Sequence, residues 1–455
     1  MLFRKKNSKY ISKRYITLSN GRKIPFFESQ LIGGASVING CVHSFGSQLQ
    51  WEPMLQKFNI NFSEILESYD QIFSLNKKES RKINLSYSFQ NEIDNAFIKA
   101  LNEKNIPLGN MANSKIESCG PILNTVKRIY RSSVLSAIDI KRLKVIAGVS
   151  VKKILFDDSG KTIGVKLNNS SIDSDYVILA SGVIGTFQVL ETTKEKSDRR
   201  VSKVLNKLNI GSGIQDHANL RINVLTKNNI GSLNEISTNF FKKLALLIKH
   251  LLGKPTVLMG TGATSAAHLD LDNDGVIDTR IQLLQFSETG RLGSNGALFS
   301  SEPGFSISIT PISPKSKGQI KIDEADISID PKYLSVREDI EYLKLAINYC
   351  INLLNSEPIS KYVLRIEQED LLKNYPEKYI NNNFYSGYHL IGGSYEAINS
   401  DFKVKNIEGL YICDGSAINA FTASNIHSSV VLTADIFAKK FIKNNYEVNK
   451  NVSNG

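Results

Sequence analysis

Three polar residues near the C-terminus have types and spacing that suit acid–base chemistry. His389 lies in the segment YHLIGG at residues 388–393, Asp414 begins an Asp-Gly-Ser turn, and Asn425 follows Asp414 by eleven residues. An imidazole can accept a proton, and a carboxamide can hold an oxygen. A lone histidine is more often a satisfied core residue, but the glycine pair and the spacing favour a catalytic role. The trio predicts a site that deprotonates a hydroxyl group.

The elements predicted around this trio follow the strand–turn–helix order of an α/β nucleotide-binding unit. A strand is predicted at residues 409–413 before the acidic turn, with a helix over about residues 428–444 after it. A second apolar strand at residues 176–180 runs into Ser181-Gly182, and a helix is predicted from Gly185 to Thr193. Small residues at the end of a strand let a ligand approach the backbone closely. Upstream, residues 143–156 and 161–167 predict two strands joined by the turn at residues 157–160.

The middle of the chain predicts a separate α+β unit. Strands are expected at residues 280–284 and 305–312. An amphipathic helix is expected over residues 337–354, with Ile340, Leu343, Ala346, Ile347 and Cys350 on one stripe. The segment GTGATS at residues 260–265 lacks the third glycine of a dinucleotide loop, so we do not predict one there.

Near the N-terminus, the segment GGASVING at residues 33–40 combines small residues with a directional hydrogen-bonding group. Gly33 and Gly34 allow close approach to a planar ring or a phosphate, and Ser36 and Asn39 supply polar groups. Paired glycines are common in turns, so this segment alone is weak. It becomes specific in combination with AGVSVKKIL at residues 147–155, YVILASGVIGTFQVL at 176–190, NIGSGIQDH at 209–217, and the two C-terminal segments.

In this order, the segments resemble the glucose-methanol-choline oxidoreductase family of FAD-dependent alcohol oxidases and dehydrogenases. The resemblance implies an α/β, Rossmann-like FAD-binding domain interleaved with an α+β substrate-binding domain that contains an antiparallel sheet. It places the FAD-binding domain at residues 1–50, 115–221 and 381–455, and the substrate-binding domain at 51–114 and 222–380. It also implies that an alcohol is oxidised to a carbonyl, with hydride transfer to flavin N5.

The resemblance assigns roles by position. His389 matches the catalytic base, and Asn425 matches the second catalytic position, a His and Asn pairing similar to that of cholesterol oxidase. The implied FAD-binding residues are Gly33, Gly34, Ser36, Asn39, Val151, Ser181, Gly182, Asp414, Gly415 and, on the flavin side or in a structural role, His427. His217 is expected to bond backbone at a domain junction. Position 38 is Ile, which cannot form the covalent His–flavin link of some relatives, so we expect non-covalent FAD.

The sequence departs from the family pattern in three places. Thr192-Thr193 stands where a Ser-Gly pair is usual, and Asn425-Ile426 stands where Asn-Pro is usual. The strand, G-x-G-x-x-G turn and helix that present N–H groups to the FAD pyrophosphate do not precede residue 33, so the FAD-binding domain is expected to be N-terminally truncated. This leaves two alternatives open: an inactive or truncated remnant of the fold, and a subunit that needs a separate chain to bind FAD.

Composition restricts the partners. The 455 residues are 41% hydrophobic, and the net charge of +12 is spread along the chain, so we predict no nucleic-acid binding. Four scattered cysteines predict neither a zinc site nor disulfides, and the absence of a signal peptide pattern or a long apolar run predicts a cytoplasmic protein. The partner is a small-molecule alcohol; the sequence identifies neither that alcohol nor the electron acceptor.

Two further segments carry weaker patterns. Residues 270–278, DLDNDGVID, resemble the start of a calcium loop, but Ile281 stands where a bidentate Glu is expected, so we predict a polar hairpin turn and no metal site. Residues 240–252 form a basic amphipathic segment that could lie on a membrane surface. We favour a packed helix of the substrate-binding domain or a lid helix.

Overall fold

A computed structural model describes residues 10–18, 21–75, 79–113, 115–197, 199–260, 262–289, 298–323 and 326–447. The helices are α1 (Gln48–Phe58), α2 (Phe62–Ile72), α3 (Glu92–Asn102), α4 (Gly182–Lys196), α5 (Arg199–Lys207), α6 (Leu233–Thr238), α7 (Phe240–Leu251), α8 (Arg337–Leu354), α9 (Glu357–Ser360), α10 (Glu369–Asn374), α11 (Pro376–Asn383) and α12 (His427–Ile442).

The strands up to residue 226 are β1 (Ile11–Thr17), β2 (Lys23–Ser29), β3 (Phe73–Ser74), β4 (Ile83–Asn84), β5 (Ser86–Tyr87), β6 (Ser118–Pro121), β7 (Leu123–Asn124), β8 (Val126–Lys127), β9 (Tyr130–Arg131), β10 (Lys153–Phe156), β11 (Thr162–Lys166), β12 (Ser171–Asp173), β13 (Val177–Leu179), β14 (Ser212–Gln215) and β15 (Ala218–Thr226). They are followed by β16 (Ala263–Leu269), β17 (Thr279–Leu284), β18 (Glu288–Thr289), β19 (Leu298–Phe299), β20 (Gly304–Pro311), β21 (Gly318–Asp323), β22 (Asp326–Asp330), β23 (Val363–Ile366), β24 (Tyr385–Ser386), β25 (Ile391–Gly393) and β26 (Leu410–Ile412).

The largest sheet is antiparallel, with strand order β23-β15-β20-β17-β16-β6 and β24 paired to β15. Its two faces differ, because directly paired residues on neighbouring strands point to the same side. The row Leu220, Ile309, Ile281 is fully buried and belongs to the same apolar cluster as Leu343 and Ile347 of helix α8. The predicted antiparallel sheet of the α+β unit is therefore present, with helix α8 against its apolar face.

The opposite face of this sheet is polar. One row contains His268, Arg280 and Thr310, and the next contains Gln282, Ser308 and Arg221. This face is directed toward the C-terminal segment, since Arg280 Nη1 donates a hydrogen bond to Ser424 Oγ at 2.9 Å. The polar face of the sheet therefore lies beside Asn425, which follows Ser424 in the chain.

A second, smaller sheet has the strand and turn arrangement predicted for a nucleotide-binding unit. Strands β13 and β26 pair in parallel, with Val177 opposite Leu410 and Leu179 opposite Ile412. Their carboxyl ends lead into Ser181-Gly182 and Asp414-Gly415, so both predicted turns lie at the same edge of the sheet. This arrangement is the one in which α/β sheets bind nucleotides.

Several predicted elements are present with shifted ends. Helix α8 covers the predicted residues 337–354, whereas α4 begins three residues before the predicted Gly185 and ends at Lys196. The predicted strand over residues 143–156 is wrong for most of its length: β10 begins at Lys153, and residues 143–152 are exposed and outside any strand. Lys152 N–H donates to the Lys166 carbonyl oxygen of β11 at 2.7 Å, but no described strand pairs with residues 143–151, so their alternating pattern has no partner to fix it.

Two hydrophobic clusters hold most of the core. One contains the apolar face of the large sheet and helices α3 and α8. The other contains β13, β26, α1, α2 and α12, including Trp51, Phe58 and Phe402. Helices α1 and α2 thus pack with α12, although residues 51–114 were assigned to the substrate-binding domain; the domain boundaries themselves stay a prediction.

Helix α7 does not pack as expected. None of its residues is buried, and Leu247 is 47% and Leu251 64% exposed. The predicted packing of these side chains against the substrate-binding domain is therefore wrong, and the lid interpretation stays a prediction. Among the described helices, none has the length and apolar character needed to cross a membrane.

Candidate active site

The backbone around His389 is held in an unusual conformation. Tyr388 has φ of 60°, in the left-handed region that non-glycine residues seldom adopt. Gly387 precedes it, and a Cβ atom at that position would lie 2.9 Å from His217 Cβ and 3.1 Å from His389 Nδ1. The glycine therefore makes room for the close approach of the two histidines.

A buried carboxylate fixes this conformation. Asp216 Oδ1 accepts hydrogen bonds from the backbone N–H groups of His217 at 2.9 Å and His389 at 2.7 Å. Its Oδ2 accepts from the hydroxyl groups of Tyr333 and Ser386. Burial raises the pKa of Asp216, while these four donors lower it. The Asp-His element of residues 216–217 thus holds the histidine backbone in place.

A chain of hydrogen bonds assigns the proton positions on both imidazoles. His217 Nε2 lies 3.0 Å from the carbonyl oxygen of Ile312, which can only accept, so Nε2 carries the proton and Nδ1 is an acceptor. His389 Nδ1 lies 2.9 Å from that acceptor and must donate to it. In a neutral ring this leaves His389 Nε2 with a free lone pair, and Asn425 Nδ2 donates to it at 3.2 Å.

Electrostatics keep both imidazoles neutral. Burial lowers the pKa of His217 to about 4. Burial, with His217 and Arg280 as smaller causes, lowers the pKa of His389 well below its usual value. At pH 7 the Nε2 atom of His389 is therefore an unprotonated base directed at Asn425.

Asp414 links the two nucleotide-binding turns. Its Oδ2 accepts from the backbone N–H of Gly182 at 2.9 Å and from the Thr186 hydroxyl at 2.6 Å, and its Oδ1 accepts from the Ser416 N–H at 2.8 Å. The carboxylate therefore binds the first turn of helix α4. Asp414 positions the turn, and the backbone around Gly415 remains the part that could approach a cofactor.

The N-terminal GGASVING segment packs against residues 131–135, and the chain just after it contacts the C-terminal segment. Arg131 donates to Asn39 Oδ1, and its charge is close enough to contribute to the lowered pKa of His427. The Ser428 hydroxyl donates to the carbonyl oxygen of Ser44. Ser36 donates to the Gly33 carbonyl oxygen at 2.7 Å, so its side chain stabilises this turn.

The remaining predicted residues are spread more widely. Ser181 is exposed at the start of α4, and Gly415 is buried with Leu390 nearby. His427 begins α12, and neither of its ring nitrogens has a hydrogen-bond partner among the described residues. Val151 lies in the exposed segment without strand structure, so its predicted strand setting is wrong.

Sequence reasoning did not predict that two further residues lie beside the candidate catalytic pair. His217 bonds backbone as expected, but it also contacts the catalytic candidate 172 residues away. Arg280 is only 1% exposed and lies in a strand that is otherwise mainly apolar. A charged residue inside such a strand is a signal that sequence reading could have used.

The acidic segment at residues 270–278 forms the loop of the hairpin between β16 and β17, as predicted. Asp270, Asp272 and Asp278 each offer an oxygen within 4.8 Å of the others. Backbone N–H groups already donate to these carboxylates, including Gly275 to Asp270 at 2.8 Å and Leu271 to Asp278 at 2.8 Å. The absence of a metal site here stays a prediction.

Comparison with known proteins shows a family match in the C-terminal part of the chain. A family described as "GMC oxidoreductase" matches residues 314–434, which include His389 and Asn425. Over these residues the chain is similar to the GMC oxidoreductase family. It is 20% identical to oxygen-dependent choline dehydrogenase of Staphylococcus saprophyticus, over 91% of this chain and 81% of that protein. It is also 20% identical to the FAD- and quinone-dependent glucose dehydrogenase of Drosophila pseudoobscura, over 89% of this chain and 73% of the relative.

The fold agrees with this family. The crystal structure of formate oxidase superimposes with a TM-score of 0.83 at 14% identity, covering 97% of this chain and 89% of that one. FAD is named for the glucose dehydrogenase of Drosophila pseudoobscura and for a formate oxidase of Aspergillus oryzae.

The residues present suit a flavin nucleotide. Gly34 and Gly182 have positive φ, and no heavy atom lies within 4 Å of where a Cβ would stand, so both turns leave open space for a ligand. Both His389 and Asn425 are partly exposed to solvent.

Proposed function

We propose that this protein oxidises the CH–OH group of an alcohol to a carbonyl. The observation that carries the proposal is the contact of 3.2 Å between Asn425 Nδ2 and the unprotonated Nε2 of His389. A base and a hydrogen-bond donor thus point at the same position. The named relatives act on choline and glucose, both of which contain CH–OH groups.

The two side chains would divide the work on the substrate hydroxyl. A hydroxyl placed between them donates its O–H to His389 Nε2 and accepts the N–H of Asn425 on its oxygen. As the proton moves to Nε2, the amide stabilises the developing alkoxide. Bound FAD supplies the acceptor for the hydride that leaves the carbinol carbon. FAD would be held without a covalent link, since position 38 is Ile.

The low pKa of His389 has two opposite effects on its role as a base: it keeps the imidazole unprotonated, and it weakens its affinity for a proton. Burial guarantees the neutral form at pH 7, but it also makes the imidazole a weaker base. The alkoxide that forms beside the ring favours the imidazolium and offsets that cost. Transfer of the hydroxyl proton to His389 Nε2 is therefore favourable only when the developing alkoxide lies beside the ring.

The test replaces His389 with Ala. Loss of a general base costs about 10²-fold to 10⁴-fold in rate, so reduction of bound flavin by a panel of alcohols should slow by that factor. The measurement is the loss of flavin absorbance under anaerobic conditions, which does not depend on the final electron acceptor. His250→Gln, which changes a histidine of helix α7 away from the site, is the matched control.

Each result has a definite meaning. An H389A variant that binds FAD and reduces it at the wild-type rate would refute the assigned base. Wild-type protein that acquires no FAD during expression or reconstitution would support the alternatives of an inactive remnant or a subunit completed by another chain.

A further inference from the structure

Arg280 is a buried cation that has no counter-charge within the part of the chain that the structure describes. It is 1% exposed, and among the described residues its guanidinium makes one side-chain hydrogen bond, from Nη1 to Ser424 Oγ at 2.9 Å. Its Nε and Nη2 atoms are buried without partners there. Burial lowers its pKa to about 10, so it remains protonated at pH 7.

A second arginine on the same face of the sheet, in contrast, has a counter-charge within the protein. Arg221 forms an ion pair with Glu288 and lies over the rings of Phe286 and Tyr385. Its charge is balanced inside the protein. Taking a charge out of water is costly unless a counter-ion compensates it, so Arg280 calls for an anion from outside the chain.

The free edge of the guanidinium indicates the shape of that anion. Nε–H and Nη2–H lie side by side and point in parallel, which is the geometry that binds both oxygens of a carboxylate. The third nitrogen, Nη1, is already used by Ser424. The unpartnered edge is thus a bidentate carboxylate-binding edge.

The position of Arg280 connects this edge to the candidate catalytic residues. Ser424 Oγ, which accepts from Arg280, lies 3.4 Å from Asn425 Oδ1. The charge of Arg280 also contributes to the lowered pKa of His389. A carboxylate held by Arg280 would therefore be a short distance from the hydroxyl between His389 and Asn425.

We propose that Arg280 binds the carboxylate of a small hydroxy acid whose CH–OH group lies between His389 and Asn425. The carboxylate site stands on the unpaired guanidinium edge; the identity of the ligand as a substrate rests on the proposed function. Arg280 would then determine substrate specificity by charge, and it would select acids over neutral alcohols of the same shape.

The binding test compares acids with their uncharged amides. Glycolate and lactate, but not glycolamide and lactamide, should raise the melting temperature of the wild-type full-length chain in a saturable way at constant ionic strength. Arg280→Met should weaken acid binding by about 30-fold or more, because a buried charge pair loses one partner. Arg337→Met, which removes an arginine from the exposed start of α8, should respond like wild type.

The stability of the variant gives a readout that needs no activity. Because Arg280→Met removes an uncompensated buried charge, its melting temperature without added acid should equal or exceed that of wild type. If the Met variant does not fold, Arg280→Lys keeps the charge but loses the bidentate edge, and its acid binding should still fall. Equal responses to acids and amides, or an unchanged response in the variants, would overturn the proposal.

Anaerobic flavin reduction separates this proposal from the proposed function. Acid-selective binding together with acid-selective flavin reduction supports both. Acid-selective, Arg280-dependent binding without reduction of bound flavin would retain the carboxylate site and refute the proposed oxidation of this ligand. Reduction of flavin by neutral alcohols, with no acid-selective binding, would retain alcohol oxidation and overturn the carboxylate site.

Discussion

At the scale of single residues, the site depends on which nitrogen of each histidine carries a proton. The Ile312 carbonyl oxygen forces the proton of His217 onto Nε2, and His217 in turn forces the proton of His389 onto Nδ1. The position of the basic lone pair on His389 is therefore set by the carbonyl oxygen of Ile312, which acts through His217. His217 acts through His389, so it is a positioning residue.

We expect His217→Phe to disturb this arrangement without unfolding the site. The Phe ring can keep the stacking on Phe421, whose ring centroid is 3.8 Å from that of His217. It cannot accept the Nδ1–H of His389, so a fraction of His389 should shift to the Nε2–H form, visible in nitrogen NMR spectra of histidine-labelled protein. The rate of flavin reduction should fall at least about 10-fold, because a wrong tautomer removes the base.

His217→Gln provides the control for that experiment. Its amide can donate to the Ile312 carbonyl oxygen and accept from His389 at the same time, so it should restore much of the rate and the Nδ1–H signal. An H217F variant with an unchanged His389 tautomer would contradict the assigned role.

At the scale of helices and strands, two amphipathic helices with similar sequence patterns have opposite settings. Leu343 of α8 is fully buried against the large sheet, whereas Leu247 of α7 is 47% exposed. Both helices carry an apolar stripe at helical spacing, so the pattern predicts the helix but not its partner surface. The difference comes from tertiary packing.

The stability of two matched variants should reflect these settings. Leu343→Ala should lower the free energy of unfolding by about 2–5 kcal/mol, because it removes buried methyl groups and leaves a cavity. Leu247→Ala should change it by less than about 0.5 kcal/mol. Urea titrations followed by circular dichroism provide the measurement, and a large loss for Leu247→Ala would show that α7 is covered in solution.

These elements also show how far the sequence predicts the structure. Helix α8 and strand β17 were predicted within one residue, because their patterns match one buried face and their ends are well marked. The strand predicted through residues 143–152 was wrong, since a strand needs a partner that the local pattern cannot supply. The pairing of His389 with Asn425 was implied by the family resemblance, but the positions of His217 and Arg280 depend on sheet register and long-range contacts.

At the scale of the whole molecule, buried histidines couple folding to pH. His43, His217 and His268 are fully buried. Burial is the main cause that lowers the pKa of His43 to about 3, of His217 to about 4, and of His268 well below its usual value. In the unfolded chain, each of these rings takes up a proton near pH 6.5.

The sign of the resulting pH dependence follows from proton binding. Below pH 6.5 the unfolded state holds more protons on these histidines than the folded state, so their contribution to stability decreases as the pH falls. Each ring contributes up to about 1.4 kcal/mol per pH unit until its folded-state pKa is reached, near pH 4 for His217. His389 and His427, whose pKa values burial also lowers, add to this trend. Asp278, with a pKa raised to about 6, opposes it, and so do Asp94, Asp216 and Asp414, whose pKa values burial also raises.

We therefore expect the melting temperature to drop between pH 6.5 and pH 4.5, since the five histidines with a lowered pKa outnumber the four aspartates with a raised pKa. Calorimetry in buffers of different ionisation enthalpy should show net proton uptake on unfolding at pH 5.5. His43→Gln can keep a hydrogen bond to the hydroxyl of Tyr69, which lies 2.9 Å from His43 Nε2, and should reduce that uptake by about one proton. Unfolding without proton uptake at pH 5.5, together with an unchanged value in His43→Gln, would contradict the assignment of these histidines as neutral in the folded protein.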